Sequence, residues 1–291
     1  MATAEVTVII PTTAEERRRV QLERAIASAG QGAGAASRVL VVINGPRCSP
    51  ALVSALKART DIDHLQLPEA GLPQAIRAGR AAVRTPFFSF LDDDDEYLDD
   101  ALATRLAPLH ADPGLGFVVT AGWRRTPQGD APMLALPGAA IEADPLGTLV
   151  ADNWLASCGG TFRSSAVPPA DFAAMPTYLE WTWLALRLAA RLRLRVLDTP
   201  TYRIHDMAGS LSKSPAYTYG TVPALEAILE LGLPARINRR LRYKLGSAHH
   251  ACSTLALEQG QLKPAWHHHL RSLALPGRLR YLSYTRHLLR R

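Results

Sequence analysis

Residues 85–98 read TPFFSFLDDDDEYL, and this stretch decides how the rest of the chain is interpreted. The apolar run over residues 87–91 predicts a short strand buried on both faces, and four aspartates follow it without a break. Carboxylates this close repel one another, so a stable fold places them at a strand end only where positive charge neutralises them. The stretch therefore predicts a buried strand that ends in a charged site.

A divalent cation is the usual means of neutralising such a cluster. Oxygen ligands suit Mg²⁺ or Mn²⁺, and two carboxylates leave coordination positions for water and for substrate phosphates. The plain alternative is a solvated acidic loop that caps the helix predicted to begin near Leu98, since acidic residues favour helix N-termini. An EF-hand is excluded, because its spacing needs Gly and Glu where the sequence has Tyr97 and Ala103.

The residues before this stretch alternate between apolar runs and amphipathic segments. Runs at 6–10 and 39–43 are rich in β-branched residues, and the segment 22–29 between them carries an apolar stripe at helical spacing. This alternation predicts an α/β fold with a Rossmann-like, mostly parallel sheet and helices on both faces. Ligands of such sheets bind at the carboxyl ends of the strands, so the loops after these runs are expected to form the site.

Composition narrows the class of protein. Of 291 residues, 47% are hydrophobic and 20% are charged. This amount of apolar material suffices for one large core or for one core with a smaller satellite domain. No apolar run reaches the roughly 18 residues of a membrane-spanning helix, and the first ten residues lack the order of a secretory signal. Three widely spaced cysteines offer no disulfide framework. We expect a globular protein of the reducing cytoplasm.

The net charge of +7 is unevenly distributed along the chain. Residues 236–291 hold 12 Lys or Arg against one acidic residue, whereas the preceding 235 hold 21 against 25. No recognition motif accompanies the basic region, so nucleic acid is not an expected partner. Two interpretations of this region are left. It forms either a basic amphipathic surface that rests on anionic lipid or a solvated helical bundle. The leucines that suit the lipid interpretation are Leu279, Leu282, Leu288 and Leu289.

Five segments in register resemble glycosyltransferase family 2, which has the A-type nucleotide-sugar transferase fold. They are VTVIIPTT (6–13), LERAIASAGQ (22–31), VLVVINGP (39–46), GLPQAIRAG (71–79) and TPFFSFLDDDDEYL (85–98). The similarity is close over residues 5–110 and looser through YLEWTWLALRLA and TPTYRIHDMAGSLS to about residue 214. It implies a nucleotide-sugar glycosyltransferase catalytic domain over residues 1–215, followed by a basic helical C-terminal region over residues 216–291.

The resemblance implies a donor site in the predicted loops. By analogy, the residues that bind the nucleotide sugar are Pro11, Thr12, Thr13, Asn44, Gly45, Arg77, Asp92 and Asp93. Relatives commonly carry an aspartate at or beside Asn44, and Arg77 stands where they often have asparagine, so that a diphosphate contact and a surface position are both open for it. Asp94 is implied as the ligand of Mn²⁺ or Mg²⁺, and His205 matches a histidine that approaches the metal or the diphosphate in some relatives.

The resemblance leaves several candidates for the residue that deprotonates the acceptor. Many relatives have a Glu-Asp pair, whose aspartate is the base, where this chain reads Glu180-Trp181. Glu180 serves instead, or Asp152 or Asp171 does, or the activity has been lost. We favour Glu180 as the catalytic residue, because it heads a predicted helix.

Together these features imply an inverting, metal-dependent glycosyltransferase of the EC 2.4 class with a role in polysaccharide biosynthesis. It would move a sugar from a nucleoside-diphosphate sugar, with a UDP-sugar as the expected donor, to a hydroxyl group of a glycan or lipid-linked acceptor. Its expected location is the cytoplasm, with peripheral attachment at the inner face of the membrane through the basic region. The alternative is a catalytically impaired relative that binds a nucleotide sugar or a glycan.

Overall fold

The apolar runs of the first hundred residues form the parallel half of one sheet. The computed structural model describes residues 4–30, 36–205 and 214–290. The four strands of this half are β1 (Val6–Thr12), β2 (Ser37–Asn44), β3 (Ile62–Leu67) and β4 (Phe87–Phe90). They lie in the order β3-β2-β1-β4 with every neighbouring pair parallel. All seven residues of β1 are buried, as expected of a strand covered on both faces.

The strand order reverses at β1, because β2 and β3 lie on one side of it and β4 on the other. At such a point the loops that leave neighbouring strands diverge and open a crevice at the carboxyl edge of the sheet. Ile9 pairs with Phe90, and the amide of Leu91 donates to the carbonyl of Ile9 at 3.0 Å. The loop after β1 and the four aspartates after β4 therefore leave the sheet side by side.

The remaining strands extend the sheet beyond β4. They are β5 (Glu96–Tyr97), β6 (Leu115–Thr126), β7 (Gly129–Pro132), β8 (Gly160–Arg163) and β9 (Arg193–His205). β8 runs antiparallel between β4 and β6, while β6 and β9 are parallel. The short β5 pairs antiparallel with β9 and thereby ties the segment after the aspartates to the far side of the sheet. The predicted α/β sheet is confirmed, and each of its antiparallel pairs includes at least one of these five strands.

Helices cover the sheet as the sequence predicts. In the first 189 residues they are α1 (Arg19–Gly30), α2 (Pro50–Ala58), α3 (Leu72–Ala82), α4 (Ala101–Ala111), α5 (Gly138–Ala143), α6 (Pro145–Ala151) and α7 (Glu180–Ala189). The apolar stripe of α1 is buried throughout. At the start of α2, the hydroxyl of Ser49 accepts a hydrogen bond from the amide of Leu52 at 3.3 Å, which caps the helix.

A fully buried arginine supports the sheet beneath the aspartates. Arg105 of α4 donates from Nη2 to Thr201 Oγ1 at 2.6 Å and from Nη1 to Ser89 Oγ at 3.3 Å. Its guanidinium also lies 4.5 Å from the centre of the Tyr97 ring. Hydroxyl groups and an aromatic face thus compensate the desolvated cation and connect β4, β5 and β9.

The chain divides into two units, one formed by Met1–Met175 with Leu184–Asp206 and the other by Pro176–Trp183 with Met207–Arg291. The second contains α8 (Pro215–Leu229), α9 (Ala235–Glu258), α10 (Leu262–Leu273) and α11 (Thr285–Leu289), which confirms the predicted helical C-terminal region. Leu288 packs with Ala256 and Ala265 in a small core. The functional boundary between residues 215 and 216 stays a prediction. Within the described residues, no helix combines the length and the apolar character needed to cross a bilayer.

Candidate functional site

The carboxyl ends of β1, β2 and β4 meet at one edge of the sheet and bring the predicted loops together. Thr12 donates from its hydroxyl to Asp93 Oδ2 at 2.6 Å. The side-chain amide of Asn44 donates to the carbonyl of Thr12 at 2.9 Å. Pro11 is buried beside Thr12, and Thr13, which follows it, is partly exposed. A continuous chain of hydrogen bonds therefore joins the ends of three strands at the switch point.

Asn44 is a positioning residue for these loops. The residue is 5% exposed, and while its Nδ2 donates to Thr12, its Oδ1 accepts from the amide of Gly71 at 3.1 Å, at the start of α3. The neighbouring Gly45 has a φ of +86°, and a Cβ there would lie 2.6 Å from the Cβ of Ala70. From the sequence, Asn44 was expected only to contact the base. Nothing in the sequence indicated that its side chain links its own loop to the loops that contain Thr12 and Gly71.

The four aspartates alternate between the interior and the crevice. Asp93 and Asp95 are buried, whereas Asp92 and Asp94 are partly exposed. The hydroxyl of Ser157 donates to Asp92 Oδ2 at 2.6 Å. The segment forms a turn, in which the amide of Asp95 donates to the carbonyl of Asp92 at 3.2 Å. The alternation leaves one pair of carboxylates for the protein interior and one pair that solvent or a ligand can reach.

Asp93 is neutralised by the protein itself. Arg18 donates from Nη1 to Asp93 Oδ1, and its Nη2 lies 3.5 Å from Asp94 Oδ2. Burial raises the pKa of Asp93, while the charge of Arg18 and the hydrogen bond from Thr12 act against that rise. A second arginine, Arg24 of α1, donates to the main-chain carbonyl of Asp94. The sequence did not single out either arginine.

Asp95 reduces the charge of the cluster in another way. Burial, followed by repulsion from Asp92 and Asp94, raises the pKa of Asp95 to about 9, so its carboxyl group is protonated at neutral pH. Asp95 Oδ1 accepts from the amide of His205 at 3.0 Å, and the Cys158 thiol lies 3.8 Å from Oδ2. The aspartates therefore carry fewer charges than their number suggests.

His205 lies beside the cluster at the end of β9. Its Nε2 lies 3.3 Å from Glu96 Oε1, which also accepts from Arg203 Nη1 at 2.7 Å. Burial and the nearby charge of Arg24 hold the pKa of His205 below its ordinary value. The imidazole is therefore neutral at neutral pH, the form that can ligate a metal, but its neighbour in the structure is Glu96.

The side chains at this site can coordinate a divalent cation only if oxygen atoms of a substrate supply further ligands. Among the described residues, no group of three or more His, Cys, Asp or Glu side chains is arranged to hold a metal ion. The Asp94 side chain is 23% exposed, and its carboxylate makes the long contact with Arg18 described above. Mg²⁺ in particular is commonly held by one or two carboxylates with water and substrate phosphates. The exposed pair of carboxylates matches that mode.

Arg77 lies on the exposed face of α3. Its Nη1 donates to the main-chain carbonyl of Ala173 at 3.1 Å. This contact is consistent with the surface position that the sequence left open, and the diphosphate contact stays a prediction.

Glu180 begins α7 in the second unit, where it is buried. Its Oε1 accepts from the amide of Tyr178 at 2.9 Å. Tyr178 and Leu179 have φ values of +66° and +54°, an uncommon conformation for two successive residues with side chains. Burial raises the pKa of Glu180. A carboxylate with a raised pKa in a strained helix start is typical of a residue with a chemical role.

The two other candidate bases differ from Glu180. Asp171 is buried and forms ion pairs with Arg191 and with Arg187, whose Nε lies 3.3 Å from Asp171 Oδ1. These partners give Asp171 a structural role. Asp152 is exposed at the end of α6.

Comparison with known proteins gives a family-model match over part of the chain and a fold. Residues 7–148 match the model of glycosyl transferase family 2, which confirms the predicted resemblance over this stretch. Comparison with curated proteins gives no match.

Crystal structures of S. aureus TarS resemble most of the chain in fold. The complex of TarS 1–349 with UDP-GlcNAc has a TM-score of 0.64 and 14% identity over 92% of this chain and 81% of that one. The complex with UDP has a TM-score of 0.59 and 14% identity over 85% and 72%. A further structure of TarS 1–349 has a TM-score of 0.55 and 12% identity over 93% and 91%. Identity at this level shows the fold alone, and it confirms the predicted A-type architecture.

We expect Asn44→Asp to destabilise the protein, because Asn44 is both a donor and an acceptor in the links between the loops. Aspartate keeps an acceptor for Gly71 but sets a carboxylate oxygen against the carbonyl of Thr12, where Asn44 donates. The cost should be about 1–3 kcal/mol in the free energy of unfolding, measured by urea denaturation. Thr13→Ala, in the same loop system, is the control with little expected effect. Equal stabilities of Asn44→Asp and the wild type would contradict the linking role.

Proposed function

We propose, on the premise that residues 7–148 form a glycosyl transferase family 2 domain, that the protein is an inverting glycosyltransferase with a UDP-sugar donor. The observation that carries the proposal is the chain of hydrogen bonds from Asn44 through Thr12 to Asp93. It fixes the loops at the switch point and leaves the carboxylates of Asp92 and Asp94 partly open to the crevice. Nucleotides bind at this position in open α/β sheets.

The choice of donor draws on the fold comparison. Two of the similar TarS structures are complexes with UDP-GlcNAc and with UDP. In the proposed arrangement, the loops after β1 and β2 bind the base and ribose through Pro11, Thr13 and the main chain around Gly45. Asp92 binds a ribose hydroxyl, for which a carboxylate acceptor already held by Ser157 is suited.

A divalent cation, Mn²⁺ or Mg²⁺, would be held by Asp94 together with oxygen atoms of the donor diphosphate. When bound, it supplies positive charge that stabilises the departing nucleoside diphosphate. His205 is near enough to the cluster to assist, since its main-chain amide already contacts Asp95. The neutral imidazole would have to give up its contact with Glu96 to act as a ligand.

The reaction is a single displacement at the anomeric carbon. The acceptor hydroxyl oxygen forms the new C–O bond on the face opposite the diphosphate, whose own C–O bond breaks, so the configuration inverts. A carboxylate takes the hydroxyl proton as the bond forms. We propose Glu180 for this role, because Asp171 is neutralised by two arginines and Asp152 is a solvent-exposed surface residue. The acceptor would be a glycan or lipid-linked glycan.

An exposed apolar and basic surface of the second unit supports a peripheral location at the cytoplasmic face of a membrane. Leu279, Leu282 and Leu289 are 76%, 51% and 72% exposed. The exposed arginines beside them in sequence are Arg278, Arg280, Arg286 and Arg290. Leucines flanked by arginines suit anionic lipid, in which the apolar side chains insert while the cations contact head groups. Leu288, which the sequence also suggested for this surface, belongs to the small core instead.

We expect Asp94→Asn to abolish sugar transfer while the fold is retained. The carboxamide keeps the shape of the side chain but removes the negative charge that a cation needs. Release of UDP from a panel of UDP-sugars with Mn²⁺ measures the activity, and circular dichroism checks the fold. Asp99→Asn, an exposed change in the following turn, is the matched control. Full activity of Asp94→Asn with metal present would refute the assignment.

Glu180→Gln should lose most of the transfer activity, on the order of 10²-fold or more, because a carboxamide cannot accept the proton. Since the base acts in its ionised form and burial raises its pKa, wild-type kcat/KM should rise with pH through a value above the ordinary range of a carboxyl group. Asp152→Asn serves as the control. A Glu180→Gln variant with the wild-type rate and pH profile would remove Glu180 from the mechanism.

The protein should co-sediment with vesicles that contain phosphatidylglycerol and not with pure phosphatidylcholine vesicles. Replacing Leu279, Leu282 and Leu289 together by serine should abolish the binding. The control is Leu270→Ser, which changes an exposed leucine of α10 outside this segment. Wild-type binding that ignores the anionic lipid, or that survives the triple change, would contradict the membrane surface.

A further inference from the structure

We propose that Arg18 competes with the divalent cation for Asp94 and thereby makes metal binding depend on the nucleotide. In the free protein, the guanidinium supplies the positive charge next to Asp94 that the metal would otherwise bring. The diphosphate of the donor offers Arg18 a new partner and so releases the carboxylate. This inference rests on the proposed function, because it concerns the same metal and the same donor.

The two contacts of Arg18 are unequal. Nη1 forms a close ion pair with Asp93, whereas Nη2 lies 3.5 Å from Asp94 Oδ2. The side chain of Asp93 is 7% exposed and that of Asp94 is 23% exposed. The first contact therefore anchors the guanidinium within the protein, and the second lies where a ligand can reach it and is the one that can be exchanged.

The position of Arg18 in the sequence explains why its side chain reaches Asp93. Arg18 ends a single 3-10 turn over Glu16–Arg18, directly before α1 begins at Arg19. This turn follows the loop that leaves β1, so the side chain starts next to the strand end that faces the aspartates. Asp93 is buried and also accepts from Thr12, which fixes the carboxylate that receives Arg18.

The charges of the groups determine whether Arg18 weakens or strengthens metal binding. A divalent cation on Asp94 would stand close to the guanidinium, and like charges at such separations repel strongly in a partly buried site. In the absence of nucleotide, Arg18 should therefore weaken metal binding. A diphosphate adds negative charge in the crevice, and guanidinium groups bind phosphate oxygens with two parallel hydrogen bonds. Nucleotide and metal should then bind cooperatively, and each should raise the affinity for the other by the same factor.

Other arginines of the same segment allow a matched comparison. Arg17 is the immediate neighbour, but its side chain is 74% exposed and pairs with Glu15. Removing it lowers the net charge by the same amount as removing Arg18 and leaves the contacts of the aspartates in place. A general electrostatic effect would appear in both variants, whereas the proposed competition would appear only at Arg18.

The experiment measures Mn²⁺ binding by the electron paramagnetic resonance signal of the free ion, with and without UDP. Arg18→Ala should bind Mn²⁺ about tenfold more tightly than the wild type in the absence of UDP, and UDP should improve its Mn²⁺ affinity by a correspondingly smaller factor. Arg17→Ala should behave as the wild type does. Equal Mn²⁺ affinities of Arg18→Ala and the wild type without UDP would overturn the inference.

A second variant guards against misfolding. Arg18→Ala leaves the buried Asp93 without its cation, so the second variant is Arg18→Gln, which removes the charge and keeps a side-chain amide that can donate to Asp93. With the fold checked by thermal denaturation, it should show the same gain in Mn²⁺ affinity without UDP, and an unchanged affinity would overturn the inference. If the wild type binds UDP and Mn²⁺ together but Arg18→Ala matches it, the inference alone fails. If the wild type binds neither, the proposed function fails as well.

Discussion

The repulsion among four consecutive carboxylates at the end of β4 is the constraint on which the rest of the site depends. The protein meets it by placing alternate residues inside and outside, by keeping Asp95 protonated, and by pairing Asp93 with Arg18. Each of these solutions needs a partner from a distant part of the chain. The loop after β1, the end of β9 and the segment that carries Ser157 are therefore drawn to the same edge of the sheet.

This arrangement separates structural charge from charge that a ligand can use. Asp93 and Asp95 are buried within the protein, so of the four aspartates Asp92 and Asp94 are the two whose carboxylates a ligand can reach. Two partly open carboxylates are too few to hold a cation alone and enough to hold one with a diphosphate. The coupling proposed for Arg18 follows from the same arrangement of charges. One guanidinium contacts both the buried carboxylate of Asp93 and the partly exposed carboxylate of Asp94.

The parts of the fold that the sequence could predict are those set by local pattern. The strand before the aspartates, the buried stripe of α1 and the helical C-terminal region depend on neighbouring residues and agree with the structure. The roles of Asn44 and Arg18 could not be predicted, because their partners lie up to 76 positions away and meet them only through the sheet order. The protonation of Asp95 likewise depends on burial, and a run of four identical residues does not reveal which of them is buried.

The central claim is that the switch point binds a nucleoside diphosphate together with a metal. Calorimetric titration of UDP into the wild-type protein, with Mn²⁺ and then with a chelator, tests it most directly. We predict saturable binding of one UDP per chain with Mn²⁺ and an affinity at least about tenfold weaker with chelator, the loss expected when a charge contact of roughly 1.4 kcal/mol is removed. Absence of UDP binding in both titrations, or equal affinity in both, would contradict the account.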